Sequence, residues 1–224
     1  MTAETSTQVL DYDLARFLVD GTFSDLTLHY GGQSSRVHKI VLSSQSRWFS
    51  RMLEKHLKEL ESNDLMLKDD WSWAVKAMLS FLYSKTYLPV FDIARQVHVN
   101  MTLLDFNVHV YRIADKYEVP ALCRYALDGF QRCAKATLAV PGGDYTSFVR
   151  ALSYIYRMIP SKSDPLRMEV ILLVKEYVVK LSRNNHFARL LLNMQDFHDE
   201  LVAAFVEDGM EFKLVKGSDD FHFR

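Results

Sequence analysis

The chain has 224 residues, 49% hydrophobic and 25% charged, the proportions of an ordinary globular protein long enough to bury a sizeable core. Its 27 basic and 28 acidic side chains leave a net charge of −1, which supplies no field for nucleic acid or an anionic lipid surface. No secretory signal is read at the start, and the apolar run Val170 to Val179 is too short for a bilayer and broken by Lys175 and Glu176. A soluble protein of the cytoplasm or nucleus is therefore expected.

Residues 1–9 are small and polar. Asp11 or Asp13 can cap a helix in which Leu10, Leu14, Phe17 and Leu18 share one face, with Gly21 ending it. Such a stripe either lids the local core or packs against another subunit. Leu26, Leu28 and Tyr30 then alternate with Thr27 and His29, the period of a strand with one buried face. Gly31-Gly32 supplies two positions tolerant of positive φ, as a tight hairpin turn requires, and sets His29 opposite Ser34 and His38 opposite Asp25. After Val37 the period lengthens, and Ile40, Val41, Leu42 and then Trp48, Phe49, Met52, Leu53 suit short helices.

Leu57 to Asn63 reads as a polar connection and Asp64 to Lys68 as a short strand. Asp69-Asp70 marks a helix start, its negative charge at the positive end of the dipole, and Trp71, Val75, Met78, Leu79 and Leu82 form the cleanest helical stripe in the chain. From Leu88 to about Thr102 the period is lost, which predicts a long connection. A helix is expected over Leu103 to Tyr117. Another begins at Pro120, with Leu122, Cys123, Ala126, Leu127 and Phe130 on its buried face. Pro141-Gly142-Gly143 marks a subdomain boundary. Beyond it lie three helical patterns: Asp144 to Ile159; Asp164, as cap, to Leu181; and Phe187 to Phe205, stopped by Gly209 ahead of a loose tail.

Chemistry is sparse. The eight histidines are dispersed, no cysteine pair has zinc spacing, and no metal site or cofactor is expected. Cys123 and Cys133, ten residues apart on one helix, are separated by about 15 Å and read as reduced thiols. No nucleophile elbow, phosphate loop or dinucleotide fingerprint occurs, so no catalytic residues are assigned. Gly142-Gly143-Asp144 ahead of a helix can greet an anion, or serve as linker and cap. The serines 43, 44 and 46 read as helix-end chemistry.

Phe23-Ser-Asp-Leu-Thr-Leu, Val37-His-Lys-Ile-Val-Leu-Ser-Ser-Gln-Ser, Trp48-Phe49, Met52-Leu53, Phe81-Leu-Tyr83 and Tyr111-Arg-Ile-Ala-Asp-Lys-Tyr-Glu-Val-Pro-Ala-Leu122 together resemble the BTB/POZ family. The last string, with His109 and the long connection before it, looks most like the BTB proteins of filamentous fungi. The resemblance covers residues 12–136 and implies an α+β fold, a short β-sheet flanked by a cluster of α-helices. An all-α extension over 144–208 follows, then the tail 209–224. It implies a non-catalytic interaction module that homodimerises, here through Leu10, Leu14, Phe17, Leu18, Ile40, Val41 and Ser44, above a buried charge pair of Asp25 and Lys39. A turn or helix partner for Asp25 is the other reading. Many family members bind a cullin scaffold as adaptors of ubiquitin ligases, through an apolar-x-Glu motif that falls here on Leu57 and Glu59, with helices 144–182 in the supporting position. A structural or transcription-associated scaffold, acting on nucleic acid only through other proteins, is the alternative. Partner and substrate proteins are not named by any residue.

Overall fold

The computed structural model describes residues 14–59, 62–209, 212–213 and 222–223, with side chains assigned for 14–55 and 62–209. The elements run α1 (14–20), β1 (Leu26–Tyr30), β2 (Gln33–Val37), α2 (Lys39–Ser43), α3 (Arg47–Glu59), β3 (Asp64–Leu67), α4 (Ser72–Ser84), α5 (Leu88–Val97), α6 (Leu103–Lys116) and α7 (Pro120–Ala139). They continue with α8 (Thr146–Met158), α9 (Pro165–Leu181), α10 (Asn185–Asn193), α11 (Gln195–Glu207), β4 (Phe212–Lys213) and β5 (His222–Phe223). The chain divides into two compact units, residues 1–126 and 127–224.

In the first unit the hairpin forms as its sequence dictates. Gly31 and Gly32 take φ of +51° and +74°, and β1 pairs with β2 in the register Leu26↔Val37 and His29↔Ser34. β3 adds to the other edge of β1 in parallel, Leu28 opposite Leu65, giving the order β2-β1-β3. Leu26, Leu28, Tyr30, Val37, Leu65 and Leu67 are buried on one face of the sheet, and Val75, Met78, Leu79 and Leu82 on α4 are buried with them. A Cβ on Gly31 would stand 3.1 Å from Cβ of Ser72, so the turn packs closely at the start of α4.

Four local expectations change. Residues 88–102 are not one long connection: α5 occupies Leu88–Val97, with Pro89 in its first turn, where a missing N–H costs nothing, and with Phe91 and Ala94 buried three residues apart. α3 does not stop before Leu57 but runs to Glu59, because Lys, Glu and Leu carry helix well and no Gly or Pro intervenes. Asp69-Asp70 does not open α4. Trp71 is the cap residue, Asp69 stands at φ +62°, and the carboxylate of Asp70, 5% exposed, accepts from Tyr117 Oη and from Lys116 Nζ at 2.7 Å. The pair therefore ties the end of α6 to the start of α4, and burial followed by Asp70 pushes the Tyr117 phenol up. Finally, the boundary between units falls inside α7, not at Pro141–Gly143. The C-terminal half of α7 is held to α9, whose Lys180 Nζ donates to the carbonyls of Leu138 and Ala139 at 3.1 Å.

In the second unit Asp164 caps α9 as read, accepting from the N–H of Leu166 at 2.8 Å. The pattern from Phe187 to Phe205 proves to be two helices, α10 and α11. They are broken at Met194, whose φ of −121° and ψ of 85° are not helical. Beyond Gly209, in the stretch read as a loose tail, Phe212–Lys213 pairs antiparallel with His222–Phe223. The unit is cross-braced by Arg167, only 2% exposed. Its Nη1 donates to the carbonyls of Ile159 (2.9 Å) and Pro160 (3.0 Å), its Nε and Nη2 to Glu200, and its guanidinium lies 4.2 Å over the ring of Tyr156. Tyr156 Oη also donates to Glu200, so one carboxylate joins α8, α9 and α11.

Two predictions follow from these buried groups. Glu200→Ala leaves the Arg167 charge buried without its carboxylate and is expected to cost about 3–5 kcal/mol, read as a lower melting temperature, whereas Arg167→Met with Glu200→Leu restores most of it. His109, 4.6 Å from Trp71 ring to ring, is pulled down to about 4 by burial and, secondarily, by Arg112. The unfolded imidazole binds its proton near 6.5, so the stability that neutral His109 supplies above that pH is lost as pH falls toward 4. Urea unfolding at pH 7 and pH 4 is expected to differ by about 2 kcal/mol more in the wild type than in His109→Gln.

Candidate interaction face

The residues joining α1 to β1 form a tightly bonded loop. Gly21 N–H donates to Phe17 O at 3.0 Å, closing α1, and Thr22 N–H donates to Asp20 Oδ1 at 2.8 Å. Ser24 N–H donates to Gly21 O at 3.1 Å, and Arg36 Nη2 reaches across from β2 to Asp20 O at 2.6 Å. Glycine suits position 21 because its φ is +66°, where L side chains are strained; a Cβ there would also displace the Arg36 guanidinium, 2.5 Å away.

His38, between β2 and α2, locks this loop to the helical core. Its Nε2 lies 2.8 Å from Thr22 O, and a carbonyl only accepts, so Nε2 carries the hydrogen. Nδ1 then accepts from Tyr83 Oη at 2.8 Å, while the same oxygen accepts the His38 backbone N–H at 2.8 Å. Burial pushes the Tyr83 phenol up to about 12, which keeps it a donor at every physiological pH. His38 is thus a structural connector, as are the serines. Ser46, buried at the head of α3, donates to Tyr117 O and accepts from Phe49 N–H at 3.0 Å. Gln45 Nε2 donates to Leu82 O at 2.8 Å.

Around this connector the predicted dimer residues are brought partly together. The Phe17 ring lies 6.0 Å from His38, edge-on, and both Phe17 and its helix neighbours Leu14 and Leu18 are half-buried. On α2, Ile40 is 72% exposed, Val41 half-buried and Ser44 exposed, while Leu42 faces the core. Leu10 lies outside the described residues. Phe23, without an interface role in the sequence reading, is 84% exposed with its ring 6.1 Å from that of Phe17, and Val19 on α1 is 88% exposed. A large apolar residue stranded between a helix-ending glycine and a strand was the signal available.

Asp25 and Lys39 do not make the buried ion pair expected of them within this chain. Asp25 is exposed, and its Oδ1 accepts the backbone N–H of Lys39 at 2.8 Å, capping α2, while Lys39 Nζ donates to Asn63 Oδ1 at 2.7 Å. The carboxylate serves a helix start, the other reading of that residue. Leu57 and Glu59 fall on the last turn of α3, and their side chains lie outside the described residues. Among the described residues no His, Cys, Asp and Glu side chains cluster in a metal-binding group, and no helix is long and apolar enough to cross a membrane. Cys123 and Cys133, both on α7, form no disulfide.

The first unit is thus a three-stranded sheet with helices about it, its loop, hairpin and α4 joined through one histidine. The BTB/POZ domain model matches residues 14–131, just over half of the chain, and the protein belongs to that family, a family of protein–protein interaction modules. The chain is similar to Kelch repeat and BTB domain-containing protein 4 of Homo sapiens and of Mus musculus, 23% identical over 118 residues. That match takes in 53% of this chain and 18% of each relative, so the chain spans under a fifth of the curated relatives it matches. Among solved structures it is similar to the BTB domain of zebrafish PATZ1, at 15% identity and a TM-score of 0.44, over 59% of this chain and 97% of that one.

Proposed function

We propose that the chain is a non-catalytic interaction module that pairs with a second copy of itself through α1, the 20–25 loop and α2. The observation that carries this reading is Ile40. An isoleucine on a five-residue helix whose Leu42 is fully buried stands 72% in water, and Phe23 of the 20–25 loop is 84% exposed. A charged residue buried there opposes association, so Ile40→Asp or Leu14→Asp is expected to convert a dimer, seen by light scattering at micromolar concentration, to a monomer of unchanged helicity. A wild-type monomer under the same conditions contradicts the reading. The two cysteines, which form no disulfide, fit work in a reducing compartment, cytoplasm or nucleus.

A second reading, that the module is an adaptor for a cullin scaffold, is favoured by the extension of α3. Leu57 and Glu59 stand on a helical turn rather than on a loose connection, a backbone suited to a groove in a partner helix bundle. Pull-down on a cullin N-terminal domain is expected to retain wild-type protein and to lose Leu57→Ala/Glu59→Ala. Failure of the wild type to bind rejects it and leaves the scaffold reading, in which partners are assembled without ubiquitin chemistry.

A further inference from the structure

We propose that the outward face of the three-stranded sheet binds an extended peptide of a partner protein, which adds as a strand to the free edge of β3 and sets a side chain in a cavity beside the hairpin turn. Leu26, Leu28 and Tyr30 point into the core, so Thr27 and His29 lie on the opposite face of β1. The pairing sets Ser34 on one side of His29 and Met66 on the other, which makes a row across all three strands. That row lines a cavity of about 530 Å³, within the range of ligand sites, completed by the turn at Gly31-Gly32 and by Lys68 and Asp69 after β3. The lining is held from behind. Gly31 stands close against Ser72, Lys116 Nζ donates to the carbonyl of Lys68 at 3.1 Å, and His29 Nε2 is 2.8 Å from Asp64 Oδ1. A site fixed in advance loses little freedom on binding.

Two observations select the occupant. The lining sets Lys68 against Asp69 and holds His29 on a carboxylate, so it carries no excess of either sign with which to choose an ion. It suits a ligand that brings donors and acceptors together, as a peptide main chain does, while Met66, 64% exposed, offers contact to an aliphatic side chain. The strand edge then favours a peptide over a small polar molecule. Among the described residues β3 has a neighbouring strand on one side only, so half of its N–H and C=O groups face away from the sheet. Asp64–Leu67 contains neither Pro nor Lys, which guard such edges elsewhere, and another extended backbone pairs with it in register. A four-residue edge makes a short ladder, to which the adjoining cavity adds a side-chain site. The opposite edge strand, β2, turns Ser34 and Arg36 to this face, and Arg36 is already tied to Asp20 O at 2.6 Å.

The probe is a displayed library of random peptides of about ten residues, selected on the full chain, with the recovered peptides then synthesised. They are expected to bind the wild type, to lose about tenfold or more in affinity with Met66→Asp, and to bind Ile40→Asp as they bind wild type. That last result separates this site from the self-association face. Binding is expected to slow amide exchange over 64–67, and methylating one alternate set of peptide amides is expected to abolish it while methylating the other set does not. Met66→Asp, on an exposed side chain, is expected to melt within about 2 °C of wild type; Met66→Ser, which adds no charge, is the second variant. The proposal is overturned if no peptide is enriched over background, or if both Met66 variants bind as wild type does. Loss of binding with either set of methylated amides, or binding without protection of 64–67, excludes strand addition and overturns it as well.

Discussion

Three hydrogen bonds on one histidine hold the first unit in its working form. His38 receives the Tyr83 hydroxyl on Nδ1, gives its Nε2 hydrogen to the Thr22 carbonyl and gives its backbone N–H back to Tyr83. The tautomer is dictated by the carbonyl, and every polar atom in the set is satisfied, so the set is worth keeping only if complete. It couples three things that the chain makes separately: the end of the hairpin, the last turns of α4 and the loop that follows α1. With the loop pinned from the core side by His38 and from the sheet side by Arg36, what remains of it faces outward.

The division of labour along residues 23–49 follows from that. Leu26, Leu28, Tyr30, Val37, Leu42 and Phe49 build the core, while His38, Gln45 and Ser46 between them tie the elements together. α2 shows it within five residues, with Leu42 at 0% exposure and Ile40 standing out in solvent. The second unit has a different logic. It is braced from within by Arg167, Glu200 and Tyr156, a buried polar set that fixes which helices pack together, and its polar groups are consumed in that bracing.

Much of this was legible in the residues. The hairpin register followed from two adjacent glycines, and the α4 stripe and the Asp164-Pro165 cap were local rules with no competitor. What was not legible depended on tertiary partners. α5 buries only Phe91 and Ala94, too short a stripe to see by period, and Pro89 disguises its start. Asp70 has the local signature of a helix start, but Tyr117 and Lys116, distant in sequence, claim its carboxylate. The break at Met194 leaves the apolar period nearly in phase, so two helices read as one. On the candidate face, Phe17 was readable from its helical stripe and Ile40 and Val41 from the family resemblance, while the exposure of Val19 and Phe23 was not readable from any local pattern.

Hydrogen–deuterium exchange at two protein concentrations tests the central claim, that the outward side of the α1–α2 block is where the chain meets a second copy. Raising the concentration from well below to well above the association midpoint is predicted to slow exchange in peptides spanning 14–24 and 39–44, and to leave α8 through α11 unchanged. Exchange that is independent of concentration, or new protection confined to α5 or to the second unit, would contradict it.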